Sequence, residues 1–112
     1  MDQGPGHQKD LETQFHEAMI SIYRRARDEC QYPANRFLQM VSVQGGLQTA
    51  RSLLHAPGFS DGLTELWRHG RLDISMEALV LKERWAALFS EGERTVARRR
   101  LLDLGYDPTA TA

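Results

Sequence analysis

The sequence has a single cysteine, Cys30, among its 112 residues. A lone cysteine cannot form an internal disulfide, and it cannot supply a metal site built from several cysteines. No apolar run approaches the roughly 18–20 residues of a membrane-spanning helix. The first ten residues, MDQGPGHQKD, also lack the charged-then-apolar order of a signal peptide. We therefore expect a cytoplasmic protein that does not enter a membrane, with Cys30 packed as a small buried side chain on a helix.

The sequence also lacks an excess of either charge. It has 14 basic and 15 acidic residues, and its formal net charge is −1. A protein whose whole surface binds nucleic acid or acidic membranes normally has a clear basic excess, so the balance argues against that class. A local basic patch remains open.

Sequence motifs for catalysis or cofactor binding are missing as well. There is no GxxxxGKS or GxxxxGKT loop, no GxGxxG and no HExxH, and no two histidines have the i, i+4 spacing of a helical zinc site. We expect no cofactor, no metal and no catalytic site, and hence a protein that is not an enzyme.

What the sequence does have is helical periodicity. From about Asp10 to Cys30, apolar residues recur at alternating four- and three-residue steps, which predicts one long helix ending near Tyr32-Pro33. Phe37, Leu38 and Val41 then begin a second apolar face. At 41% hydrophobic and 26% charged residues, the composition is that of one ordinary folded domain.

Helix boundaries are marked by capping residues and glycines. Gly45 suits the end of the second helix and Gly46 follows it, while Ser60 or Asp61 and then Ser75 suit the starts of later helices. Ser90 and Glu93 form a capping-box pattern for the last helix. The prediction is an all-α protein: a compact, irregular bundle of about six short helices with one long N-terminal helix. Its domain is predicted to span residues 9–106, between a flexible tail at 1–8 and a polar tail at 107–112.

Arginine supplies 12 of the 14 basic residues, and it is clustered. One interpretation is a set of solvated helix faces, since Arg98–Arg100 near the end of the last helix complement its dipole. The other is a surface that binds a partner's carboxylates or nucleic-acid phosphates through guanidinium groups. The candidate contacts with a protein partner or with nucleic acid are Arg24, Arg36, Arg68, Arg71, Arg94, Arg98 and Arg99.

Aromatic residues divide into two groups. Trp67, Trp85 and Phe89 lie within apolar patterns and are predicted to build the core. Tyr32, Phe59 and Tyr106 lie at helix ends or in loops, where they either fix the chain's entry into a helix or face a partner. Tyr32 and Phe59, which have arginines near them in the sequence, are the candidate interface aromatics.

The chain from Phe15 to Tyr106 contains a series of short motifs. They are Tyr32-x-x-x-Arg36-Phe37-Leu38-x-Met40, Gly45-Gly46 with Ala50 and Leu53-Leu54, Gly62-Leu63-x-x-Leu66-Trp67, Gly70-Arg71-Leu72-Asp73, Glu77-Ala78-Leu79-Val80, Leu88-Phe89, and Ala97-Arg98-x-Arg100-Leu101 before Gly105-Tyr106. This pattern resembles a family of small bacterial all-helical proteins to which no activity is attached. The resemblance implies one compact domain that can stand alone, and it transfers no catalytic residue.

The functional hypothesis is a non-enzymatic helical module that binds a protein partner. The alternative is a nucleic-acid-associated accessory protein that uses an arginine-rich helix face, and association with further copies of the same chain is left open. Acidic residues interleaved among the arginines would favour the protein partner, whereas one uninterrupted basic surface would favour nucleic acid.

Overall fold

The computed structural model describes the backbone of residues 5–111 and the side chains of residues 10–109, and over that range it is all-helical with no strand. The predicted fold class is therefore confirmed. The α-helices of the described residues are α1 (Pro5–Cys30), α2 (Asn35–Gln44), α3 (Gly46–His55), α4 (Asp61–Arg68), α5 (Met76–Val80) and α6 (Glu91–Asp103). Short 3₁₀ turns occupy Leu72–Ile74, Glu83–Leu88 and Pro108–Thr111.

Two predicted chain segments differ from the structure. Helix α1 begins at Pro5, so residues 5–8 of the predicted N-terminal tail are helical, and residues 1–4 lie outside the described residues. A proline suits this position because the first turn of a helix does not use its amide hydrogens. In the predicted tail at 107–112, the Thr109 amide and hydroxyl donate to the Asp107 carboxylate at 3.0 and 2.7 Å and support the last 3₁₀ turn.

The glycine pair fixes how α2 and α3 pack on α1. Gly45 has φ 89° and ψ 160°, a backbone region that is essentially restricted to glycine, and it ends α2. Gly46 begins α3 directly against α1, where a Cβ would lie 2.7 Å from the Cα of His16. The Gly46 amide donates to Nδ1 of His16 at 3.0 Å. One glycine therefore permits the turn, and the other permits the close approach of two helices.

Phe15 of α1 lies at the centre of the core. It is fully buried and makes edge-to-face contacts with Trp85 at 5.4 Å and Phe89 at 5.2 Å between ring centroids. Cys30 is buried, as predicted. It belongs to a second apolar cluster, which includes Leu63 and Leu66 of α4 and Leu101 of α6. The prediction for Trp67 is wrong, because the inward face of α4 is taken by Leu63 and Leu66, which leaves Trp67 48% exposed.

The predicted helix starts are confirmed by their hydrogen bonds. The Ser60 hydroxyl accepts from the Leu63 amide at 3.1 Å, and the Ser75 hydroxyl accepts from the Ala78 amide at 3.1 Å. At α6 the Ser90 hydroxyl accepts from the Glu93 amide while the Glu93 carboxylate accepts from the Ser90 amide, which completes the capping box. These caps fix where α4, α5 and α6 begin, and so where the loops before them end.

Candidate functional site

An apolar groove of about 430 Å³ lies between α2, the end of α3 and the loop that leads into α4. Two of the sequence-predicted interface aromatics, Tyr32 and Phe59, lie in it together with Arg36. Sequence separation hides this arrangement, since Tyr32 precedes α2 and Phe59 follows α3. We call it the aromatic groove and define it by Tyr32, Phe37, Met40, Leu53, Pro57 and Phe59.

Local sequence explains why Phe59 stays exposed. It directly precedes the N-cap Ser60, the position from which an apolar side chain often packs on the fourth residue of the following helix. That residue is Thr64, whose hydroxyl instead donates to the Ser60 carbonyl at 3.1 Å. No apolar partner is present at this position, and Phe59 is 44% exposed in the groove.

A small cavity of about 50 Å³ adjoins the aromatic groove and shares Tyr32, Phe37 and Leu53 with it. Its remaining walls come mainly from apolar side chains of α1, α4 and the turn before α5, including Ile22 and Leu63. A volume of this size exceeds what one water needs. Ser60, Ser75 and Glu77 also line the cavity, but most of its surface is apolar. The cavity is therefore suited to an apolar group of about the size of an isopropyl group.

Charged groups lie at the edges of the aromatic groove. Arg36 and Asp61 both line it, and both are exposed. Burial raises the pKa of Tyr32, and the negative charges of Asp61 and Glu65 raise it further. The Tyr32 hydroxyl therefore remains a protonated hydrogen-bond donor across the physiological pH range.

Several of the predicted contact arginines form ion pairs with acidic residues of the chain. Arg68 lies 3.0 Å from Glu65, and Arg71 donates to both carboxylate oxygens of Asp73 at 3.0 and 3.2 Å. Arg71 also lies 2.8 Å from Glu29. Acidic residues therefore interleave with Arg68 and Arg71 on these surfaces.

The other predicted arginines have different surroundings. Arg94 is largely enclosed, with one guanidinium nitrogen donating to the Leu81 carbonyl at 3.2 Å. Within the described side chains, Arg24, Arg36, Arg98 and Arg99 form no ion pair; Arg98 is half-buried and the other three are exposed.

Arg94 and Arg98 share a second, more polar groove of about 660 Å³ between α1, the end of α5 and α6. Two further cations line it, and Asp73 and Glu83 are its acidic residues. We call it the cationic groove and define its cations as Arg25, Lys82, Arg94 and Arg98.

Arg100, grouped with the surface arginines on sequence grounds, is instead buried. It donates to the Glu77 carboxylate at 3.1 Å and to the carbonyls of Leu53, Leu54 and Ala56 at 3.0, 3.3 and 2.6 Å, which completes the hydrogen bonding at the end of α3. Burial raises the pKa of Glu77 against the opposing effect of the Arg100 charge. The signal in the sequence is spacing, because Arg100 lies three residues after Ala97 and directly before Leu101, on the buried side of α6.

Comparisons with protein-family models, with curated proteins and with solved structures found no match to this chain. They add no support to the family resemblance drawn from the sequence motifs, and no family is assigned. In the part of the chain that the structure describes, no helix is long and apolar enough to cross a membrane. Over the same residues, no group of three or more histidine, cysteine or acidic side chains is placed to hold a metal ion.

Proposed function

We propose that this protein is a non-enzymatic helical interaction module that binds a protein partner in the aromatic groove. The observation that carries the proposal is the grouping of Tyr32, Phe37 and half-exposed Phe59 around one open apolar concavity. Aromatic side chains are enriched where proteins bind each other, since they bury a large area at a small entropic cost. Contiguous exposed apolar surface is also unfavourable unless a partner covers it.

The groove supports a specific kind of partner. Its adjoining cavity suits one branched apolar side chain, such as valine or leucine, because its walls are mostly apolar and its volume is small. Arg36 lines the groove without an ion pair among the described side chains, so its charge is available to a carboxylate of the partner. We therefore propose a short peptide segment that combines an apolar anchor with an acidic residue.

The arrangement of the arginines supports a protein partner rather than nucleic acid. Arg68 forms an ion pair with Glu65 at 3.0 Å. Arg71 forms ion pairs with Glu29 at 2.8 Å and with Asp73 at 3.0 Å. A phosphate backbone would have to displace these carboxylates or approach them closely, which is electrostatically unfavourable. Interleaved acids therefore weaken a continuous phosphate-binding surface.

The test is selection of random short peptides on the full chain, followed by affinity measurements on variants. The Phe59→Ala variant is expected to weaken binding about tenfold or more, as loss of an aromatic anchor does. Val43→Ala is its matched control, because Val43 is an exposed apolar residue of α2 outside the groove. Arg36→Glu should weaken binding of acidic peptides, whereas Arg24→Glu, at an exposed arginine outside both grooves, should not.

Two results would contradict the proposal. Selected peptides that bind the Phe59→Ala and Val43→Ala variants equally well would show that the aromatic groove is not the binding surface. Tight binding of random oligonucleotides that falls steeply with salt would support the nucleic-acid alternative instead.

A further inference from the structure

The ion pairs around the cationic groove divide its charges into two sets. Arg25 donates to Glu29 at 3.0 Å, and Arg71 lies 2.8 Å from the same carboxylate while also holding both oxygens of Asp73. These two arginines and two carboxylates form a closed network with no net charge. Arg25 and Asp73 of this network line the groove.

The other charged residues that line the groove have an excess of positive charge. They are the cations Lys82, Arg94 and Arg98, and the acidic residue Glu83. Glu83 lies 3.9 Å from Arg94 and is 83% exposed, so it is a weak and solvated counter-ion. Lys82 and Arg98 have no ion pair with the other described side chains. Three cations against one carboxylate leave an excess of two positive charges among these lining residues.

We propose that the cationic groove binds a phosphate monoester, which carries close to two negative charges at neutral pH. Its three terminal oxygens accept charge-assisted hydrogen bonds, and guanidinium groups match them in geometry. The site is concave, and its excess charge comes from two segments, Lys82 in the turn after α5 and Arg94 and Arg98 of α6. Arg94 is already oriented, since it is largely enclosed and one of its nitrogens donates to the Leu81 carbonyl at 3.2 Å.

The same charges argue against a longer polyanion in this groove. A nucleic-acid strand carries one phosphate after another and needs a run of unpaired cations along its path. Here the acidic lining residues Asp73 and Glu83 interrupt any such run of cations. A single compact dianion matches the local excess, and it can come from a small phosphorylated molecule or from a phosphorylated side chain of a protein.

The experiment is an NMR titration of the arginine side-chain Nε–H signals of the full chain at constant ionic strength. The probes are phenyl phosphate, benzoate, phosphoserine and a short peptide that contains phosphoserine. We expect saturable shifts at Arg94 and Arg98 with the three phosphate probes and none with benzoate, which has the ring but only one negative charge. A peptide that binds more tightly than free phosphoserine indicates a protein source for the phosphate; equal affinities indicate a small molecule.

Matched variants separate this site from general electrostatic attraction. Arg98→Gln and Lys82→Gln should each weaken phenyl phosphate binding about tenfold, as loss of a charge-assisted hydrogen bond does. Arg99→Gln makes the same change at an exposed neighbour outside the groove and should leave affinity unchanged. Phe59→Ala, in the aromatic groove, should also leave the affinity for phenyl phosphate unchanged. The result for the cationic groove is therefore independent of the result for the proposed function.

The proposal is overturned if phenyl phosphate gives no saturable shifts, or if benzoate gives the same shifts. Equal losses in the Arg98→Gln and Arg99→Gln variants would overturn it too, because they would indicate attraction to the overall charge of α6. Circular dichroism of each variant checks that it remains folded, and all of the substituted side chains are at least partly exposed.

Discussion

Replacing Gly46 with alanine tests the close contact between α3 and α1. A methyl group added there would lie 2.7 Å from the Cα of His16, 3.2 Å from Cγ of Met19 and 3.3 Å from Cβ of His16. The shortest of these contacts is with backbone, so no side-chain rotation can relieve it. Helix α3 would have to move away from α1, and the hydrogen bond from the Gly46 amide to His16 would lengthen.

The magnitude follows from two opposing effects. Alanine in a helix is favoured over glycine by up to about 1 kcal/mol, which alone would stabilise the variant. Overpacking a well-packed interface costs about 1–3 kcal/mol, and a contact with rigid backbone belongs at the upper end of that range. We therefore expect the Gly46→Ala variant to lose about 2 kcal/mol in free energy of unfolding, or roughly 8–16 °C in Tm for a domain of this size.

Urea denaturation followed by circular dichroism measures this loss, with Gly92→Ala as the matched control. Gly92 also lies in the first turn of a helix, but its added methyl group would have Ser90 Oγ at 3.8 Å as its nearest neighbour. That variant should be unchanged or more stable by up to about 1 kcal/mol. A Gly46→Ala variant as stable as Gly92→Ala, or one fully rescued by Met19→Ala, would refute the reasoning from the His16 backbone.

Three further predictions concern the α6 contacts and its cap. Arg100→Met should cost about 3–5 kcal/mol in urea denaturation, because it leaves the Glu77 carboxylate buried without its partner; a loss below about 1 kcal/mol would contradict the ion pair. Since burial raises the pKa of Glu77 in the folded state, the folded chain binds this proton more tightly than the unfolded chain, so the free energy of unfolding should fall as pH rises from the ordinary glutamate pKa to the raised one. The stability of Glu77→Gln relative to the wild type should therefore increase with pH, and a pH-independent difference would contradict this. Ser90→Ala should cost about 1 kcal/mol by removing the acceptor for the Glu93 amide, whereas Ser42→Ala on the exposed face of α2 should have little effect.

Helix boundaries could be predicted because their causes are local. Ser75 caps α5 and Ser90 caps α6 through amides three residues away, which is a distance that the sequence alone specifies. The end of α2 at Gly45 is local in the same sense. Such features depend on backbone conformation within a few residues, and they are correctly predicted here.

Predictions that depended on packing between distant segments were less successful. Trp67 and Leu66 are adjacent in sequence, and only the position of α4 against α1 and α6 decides which of them is buried. Arg100 was grouped with the surface arginines for the same reason, since its partners lie 23 to 47 residues earlier in the chain. The charge of Arg100 indicates a surface position when only the local sequence is read, whereas its burial is decided by contacts with distant segments.

The aromatic groove could be predicted in part: its residues could be selected from the sequence, but their arrangement could not. Tyr32, Arg36 and Phe59 could be selected from the sequence, because aromatic residues at helix ends have no regular apolar face to join. Their meeting in one concavity depends on the turn at the glycine pair, which brings the end of α3 back alongside the start of α2. The cationic groove has the same origin, since Lys82 and Arg98 come together only where α6 packs on α5.

The position of Arg100 also has a consequence for the order in which the chain can fold. Its single guanidinium supplies hydrogen bonds to the end of α3 and charge to Glu77 in α5, both of which are synthesised well before it. A nascent chain that has not yet released α6 from the ribosome must keep that carboxylate hydrated and those carbonyls open to water. The hydrogen bonding at the end of α3 and the charge partner of Glu77 are therefore completed only when α6 packs into place.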